Sequence, residues 1–249
     1  MKKIVVICSA FLLGIGAASA QYLCPDKGAV LTFTETSYKD ADPVTLDYQA
    51  TVIEAATAED GKISTRVEEV HKVPGNDLME IKSYNSYTYN PADGLTVHTL
   101  LTGDDYKAMI VNMLIEGARN AGQTVSEADL NELDKGIRVR GELTIDLPAE
   151  PVADSKLANK SIKLSIATNS MSMNLWEGKH LGFEDVETPA GKFENCEKVS
   201  YVIKVNSPEG NEKTYCTAWY AKGIGVVKTL ETDKKGKVQS EEVLKSIKK

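Results

Sequence analysis

The sequence is short of the residue types that most often carry chemistry. In 249 residues it has three histidines, two tryptophans, four phenylalanines and four cysteines. His71, His98 and His180 each stand alone on a strand-like stretch, where a histidine is usually surface or packing, and no two share a metal-ligand spacing. No cysteines have zinc-ligand spacing. A Gly-x-Ser-x-Gly elbow is missing, which leaves a serine hydrolase without its nucleophile. Gly223-Ile224-Gly225 is at most a fragment of a phosphate loop, because a β-rich run follows it in place of a helix N-terminus. These absences assign no catalytic residue, no metal and no cofactor.

Basic charge is short as well. Lys and Arg total 29 against 36 Asp and Glu, a formal net charge of −7. That balance argues against nucleic acid and against anionic membrane surfaces as partners. Carboxylate pairs such as Glu68-Glu69 and Asp104-Asp105 read as solvated surface in so acidic a chain. No stretch beyond the N-terminal leader is long and apolar enough to be a transmembrane helix, so none is expected in the mature chain.

Met1 to Ala20 has the three parts of a secretory signal peptide. Lys2 and Lys3 open it, Ile4 to Ile15 form the apolar run, and Ala18-Ser19-Ala20 is a small-residue cleavage site. A lipoprotein anchor is not expected, since Cys24 stands behind Gln21-Tyr22-Leu23 and does not directly follow that site. The mature chain, 21–249, is expected to be periplasmic or secreted from a Gram-negative cell. Cys8 leaves with the leader, so Cys24, Cys196 and Cys216 remain, which permits one disulfide and one free thiol. A hairpin centred on Pro208-Glu209 places Cys216 opposite Tyr201, with Cys196 five positions away on the other face. A Cys196–Cys216 bridge then requires a bulge, and a bridge from Cys24 to either is an equal alternative.

What the sequence does have is strand periodicity. Ala29–Tyr38, Leu46–Val52, Ile63–Val73, Leu78–Tyr89 and Leu95–Leu101 alternate between turns rich in Gly, Pro, Asp and Asn, as an antiparallel meander does. The rhythm changes at Gly103. Tyr106, Met109, Ile110, Met113 and Leu114 recur at helical spacing behind Asp104 and Asp105, which suit a helix N-terminus. Ser126 with Asp129 forms a capping box for a second helix that stops at Gly136. The helical insert therefore covers about 103–136, and its apolar stripe needs a surface to bury against, for which one mouth of the curled sheet is the expected place. Strands resume at Ile137–Leu147. Ala149–Asn159 reads as a linker and the place of any two-lobe split, followed by strands over 161–168, 170–177 and 181–187.

Glu187 to Leu230 is the most strongly patterned part, three successive strands. Val199, Tyr201, Ile203 and Val205 alternate, and Ser207-Pro208-Glu209-Gly210 suits a turn. Tyr215, Thr217 and Trp219 share one face, and Cys216, Ala218 and Tyr220 the other. Gly223 and Gly225 mark a bend where a side chain would interfere, and Trp219 is expected to support the fold by covering the gap that glycine leaves.

Glu187-Thr188-Pro189-Ala190-Gly191-Lys192-Phe193-Glu194-Asn195-Cys196 and Trp219-Tyr220-Ala221-Lys222-Gly223-Ile224-Gly225-Val226-Val227-Lys228 resemble the secreted family built around domain of unknown function 3108, in its TapB-like branch. The resemblance is specific over 187–228 and looser through the N-terminal strands. It implies an all-β envelope protein with an open, curled barrel like that of the lipoprotein carriers, and it brings no catalytic residues. The expected fold is thus a mainly β, antiparallel, strongly twisted sheet curling into an open barrel, with a two-sheet sandwich as the alternative. The expected function is a non-enzymatic envelope protein that binds a lipid, lipoprotein or peptide, or aids envelope assembly. A secreted carboxylate-based hydrolase and a surface interaction module are the alternatives.

Overall fold

A computed structural model describes residues 21–39, 42–73, 76–166 and 169–249. The expected leader Met1–Ala20, Asp40-Ala41 and Pro74-Gly75 of two expected turns, and Ala167-Thr168 at the end of the expected strand 161–168 lie outside them. The strands are β1 Val30–Ser37, β2 Val44–Thr57, β3 Ile63–Val73, β4 Asn76–Asn90, β5 Leu95–Leu101, β6 Ile137–Leu147, β7 Lys160–Ile166, β8 Asn169–Thr188, β9 Gly191–Ser207, β10 Gly210–Ala221, β11 Gly225–Thr232 and β12 Val238–Lys248. The helices are α1 Gly103–Asn120 and α2 Glu127–Gly136, both between β5 and β6.

Each strand pairs antiparallel with its neighbours in sequence, and β1 pairs with β12, from Val30 opposite Lys248 to Ser37 opposite Ser240. The antiparallel barrel expected from the sequence is therefore present. Its curl runs to completion, as twelve strands in a closed barrel with two helices, and the sandwich alternative is not adopted. Closure satisfies the two strand edges that an open curl would leave bare.

Turn chemistry sets the register locally. Asp233 Oδ1 accepts from the backbone amides of Lys235 (2.7 Å) and Lys237 (2.9 Å) to link β11 to β12. Asn90 Oδ1 accepts from Ala92 N at 3.2 Å between β4 and β5. Gly141 lies at φ +89° on β6, and a Cβ there would stand 2.1 Å from the Ser161 carbonyl oxygen of β7. Only glycine allows the two strands to approach so closely.

Two stretches differ from the sequence reading. Strands 170–177 and 181–187 are one strand, β8, carried through by bulges at Trp176/Lys179 and His180/Gly182, with Glu177 at positive φ. The segment 149–159 joins neighbouring strands β6 and β7 and binds onto β8: Leu157 N donates to Gly178 O (2.8 Å) and His180 N to Ser155 O (3.0 Å). Gly178 accommodates it, since a Cβ there would meet Leu157 at 2.9 Å.

Because successive strands alternate in direction, β1, β3, β5 and β7 all finish at one end of the barrel. The helices sit at that end. Thr102 caps α1 by accepting from Asp105 N at 3.0 Å, and Asp105 pairs with Arg66 of β3. Tyr106 is buried and its hydroxyl reaches Met171 Sδ at 3.9 Å. The apolar stripe docks only over its first turns. Further along, Met113 is 57% and Leu114 44% exposed. α2 has the expected capping box between Ser126 and Asp129.

Candidate functional site

The interior is unequal across its width. On the β6–β8 side Leu143, Ile145, Leu147, Ile162 and Leu175 are all buried and pack into it. On the β1–β5 and β9–β12 side the facing side chains leave a chamber of about 200 Å³. Its walls follow from strand alternation. Leu31 and Phe33 point in from β1, Tyr48, Ala50 and Val52 from β2, Val67, Glu69 and His71 from β3, Asn85 and Tyr87 from β4, and His98 from β5. Across from them stand Tyr201, Ala218, Tyr220, Thr229 and Glu242.

Aromatic rings order the two ends. Phe33 stacks on Tyr48 (centroids 5.3 Å apart), and Tyr48 on His71 at 4.1 Å. Tyr48 and His71 also line an outer pocket of about 360 Å³ with Glu35, Leu46, Asp47 and Lys72, so these two rings partition the chamber from the barrel rim. Deeper in, Tyr87 stacks on His98 at 4.1 Å, and His98 Nδ1 lies 3.0 Å from the Tyr220 hydroxyl.

Charge collects behind the partition. Glu69 accepts from Ser83 Oγ (2.9 Å) and Asn85 Nδ2 (2.7 Å) and stands 3.7 Å from His71 Nε2. Burial and the nearby Glu69 push the Glu242 carboxyl up to about 7, with Glu35 adding to the effect and the Tyr48 hydroxyl opposing it. Burial pulls His71 down, but Glu69, Glu35 and Glu242 outweigh it and leave the imidazole raised. His98, 4% exposed, is pushed down to about 3 by burial, so it is neutral. Its Nε2 and the Asn85 Oδ1 are buried without a hydrogen-bond partner.

The opposite end of the barrel is closed by the chain itself. Tyr22 and Leu23 are fully buried, Tyr22 N donates to Thr96 Oγ1 (3.2 Å), and Gly223 N donates to Gln21 O (2.8 Å). Cys24 completes this plug and lines the chamber. Behind it His180 Nδ1 meets Glu197 Oε1 at 2.6 Å, both side chains buried. Burial raises the Glu197 carboxyl, with His180 opposing.

The residues singled out from sequence fall around this chamber more than in it. Cys24, Cys196 and Cys216 are all buried free thiols in this structure, with no bridge among them. Cys216 does lie opposite Tyr201. Burial raises the Cys24 thiol and pushes Cys196 up to about 11 and Cys216 to about 12. The core face of β10 is that of Cys216, Ala218 and Tyr220. Trp219 turns outward, between Lys198 at 4.9 Å and Lys228 at 5.6 Å from its ring, its Nε1 donating to Glu184 (3.3 Å). It does not cover the glycines. Gly223 has no neighbour within 4 Å of a built Cβ, and Gly225, at φ +103°, is covered from inside by the Tyr87 ring.

The residues that sequence reasoning missed are Tyr48, Glu69, Asn85 and Glu242, together with the place of His71 and His98 in the chamber wall. Glu69 read as surface because it adjoins Glu68 in an acidic chain. Its parity with Val67 was the available signal. Among the described residues no cluster of three or more His, Cys, Asp or Glu could hold a metal ion, and no helix is long and apolar enough to cross a membrane.

A family model described as DUF3108-like matches residues 26–244. No curated protein matches the chain. Two solved structures share the fold. A "putative lipoprotein" from Parabacteroides distasonis aligns with a TM-score of 0.63 and 19% identity, over 91% of this chain and 98% of that one. A "putative exported protein with YmcC-like fold" from Bacteroides fragilis gives 0.61 and 18%, over the same shares.

Proposed function

The chain belongs to the DUF3108-like family, and from that premise we propose that it is an exported, non-enzymatic binding protein that takes a small ligand into its barrel chamber. One observation carries the reading: a space of about 200 Å³ whose wall mixes apolar side chains with a few polar groups, Glu69 and Glu242 near the partition and His98 deeper in. Binding sites are typically concave and mostly apolar, with a few placed polar groups. Export is supported by the leader over Met1–Ala20 and by the descriptions of the two structural neighbours.

The volume narrows the ligand. Sites for drug-sized molecules run to roughly 300–1,000 Å³, so this chamber takes one ring or a short chain, and a diacyl lipid exceeds it. A lipoprotein or peptide could place only one group inside.

A carboxylate-based hydrolase is the second reading, favoured by Glu242, whose carboxyl is raised to about 7 beside Glu69. Against it, the chamber lacks room for a substrate extending on both sides of a scissile bond.

The test is native mass spectrometry of the mature protein, purified gently from envelope fractions, beside Ala218→Leu, which fills the chamber. A low-mass ligand held by the parent and lost in a folded Ala218→Leu is the expected result. A parent that carries nothing and takes up nothing from envelope extract overturns the proposal.

A further inference from the structure

Resting on that reading, we infer that the chamber ligand is a small primary amine, its ammonium held between Glu69 and Glu242 and its apolar body against Leu31, Val52 and Val67.

The charge of the chamber is one-sided. Among the residues that line it, two are carboxylates, two are histidines, of which His98 is neutral, and none is lysine or arginine. Glu35 adds a third carboxylate just outside the partition, directly opposite Glu242 across the β1–β12 pairing. Carboxylates brought this close in a low-dielectric interior repel one another, and an incoming cation relieves that repulsion. An anionic ligand such as a fatty acid adds to it. Phe33 and His71 stack on Tyr48 from its two neighbouring strands, so its ring faces are taken and the carboxylates carry the attraction for an ammonium.

A second, independent observation concerns hydrogen bonding. The Glu69 carboxylate can only accept when ionised, so the Asn85 atom 2.7 Å from it is the Nδ2 donor. That fixes Asn85 Oδ1 as an acceptor, and it is buried with nothing to accept from. His98 Nε2, on a ring 4% exposed, is likewise without a partner and lines the same chamber. Buried polar atoms in folded proteins are almost always bonded. An N–H-bearing group answers the Asn85 acceptor and the carboxylates together, which neither an ether nor a carboxylate ligand does.

Proton linkage follows from the same groups. The groups facing Glu242 are Glu35, Tyr48, Glu69 and His71, with the phenols of Tyr87 and Tyr201 nearby. Below about pH 7 Glu242 holds a proton, and the imidazole of His71, raised by the same carboxylates, is charged towards acid; both oppose a cation. Amine affinity therefore rises from pH 6 to pH 8.

The experiment is isothermal titration calorimetry of the mature protein with n-butylamine, butan-1-ol and butanoate, which share one carbon chain. Glu242→Gln is run in parallel, with circular dichroism to show that it is folded. The expected result is n-butylamine binding at least about tenfold tighter than butan-1-ol, no butanoate binding, and loss of that preference in Glu242→Gln. Equal binding of amine and alcohol, or an unchanged preference in Glu242→Gln, overturns the amine while leaving the chamber as a binding site. Tightest binding of butanoate also overturns it. Failure of all three probes removes both this inference and the reading on which it rests.

Discussion

Glu35 on β1 stands directly opposite Glu242 on β12, so the pairing that closes the barrel sets two inward-facing carboxylates against each other. Like charges facing across a strand pair are destabilising. Closure alone has no use for them, and their position at the partition of the chamber ties the seam to the candidate site.

Glu242→Gln is expected to stabilise the protein, and more at pH 8 than at pH 5. The folded carboxyl is raised to about 7 from an ordinary value of 4.5. Between those values the folded state holds a proton that the unfolded chain has lost, so parental stability falls as pH rises through the window. The variant removes that loss, a gain on the order of 1–3 kcal/mol at pH 8. Urea denaturation at the two pH values measures it. An equal effect at both would show that Glu242 does not titrate in this window.

His98 works in the other direction. Its folded pKa, about 3, is below its ordinary 6.5, so the unfolded chain takes up a proton first as pH falls below 6.5. Stability that is fully present above 6.5 is then lost towards acid. His98→Gln is expected to be less stable than the parent at pH 7.5 and to flatten this acid limb. A parental slope between pH 6 and 4 in the variant would place the titration on another group.

Gly225→Val is expected to cost on the order of 2–4 kcal/mol despite the better strand propensity of valine. A Cβ at Gly225 stands 3.1 Å from the Tyr87 hydroxyl oxygen, and φ is +103°. In a Tyr87→Leu background the collision goes and the backbone strain stays, so only part of the cost should return. Thermal denaturation of the single and double variants separates the two contributions.

Trp219→Ala is expected to cost about 1–3 kcal/mol, below the roughly 3–5 kcal/mol for an aromatic deleted from a core. The ring is only 6% exposed, but it lies on the outer face with the Lys198 and Lys228 ammonium groups over it, and these long side chains can close over the gap. The variant should keep the parent's affinity for n-butylamine. Loss of binding with an unchanged denaturation midpoint would make the outer face part of the site.

The thiols give a direct check of the plug and core. Cys24, Cys196 and Cys216 are buried, with thiols raised by burial. The native mature protein should be inert to a thiol reagent at pH 8 and should release three equivalents in denaturant. One equivalent in denaturant would instead mean that two of the three are bridged.

The sequence by itself determined the strands, the helical insert and much of the register. Alternation at Val199, Tyr201 and Ile203, the Ser126–Asp129 capping box and the Pro208-Glu209 turn are local signals, and each acts over a few residues with its physical cause in view. The pairing of Cys216 with Tyr201 follows from that turn alone. Closure of the barrel, the outward turn of Trp219 and the assembly of the chamber were decided by tertiary structure. Alternation tells which residues share a face but not which face becomes the inside. Glu69, Asn85 and His98 come from the consecutive strands β3, β4 and β5, and only the pairing of β1 with β12 brings Glu242 round to the same space. The burial that shifts His98 and Glu242 does not exist until that space is closed to water.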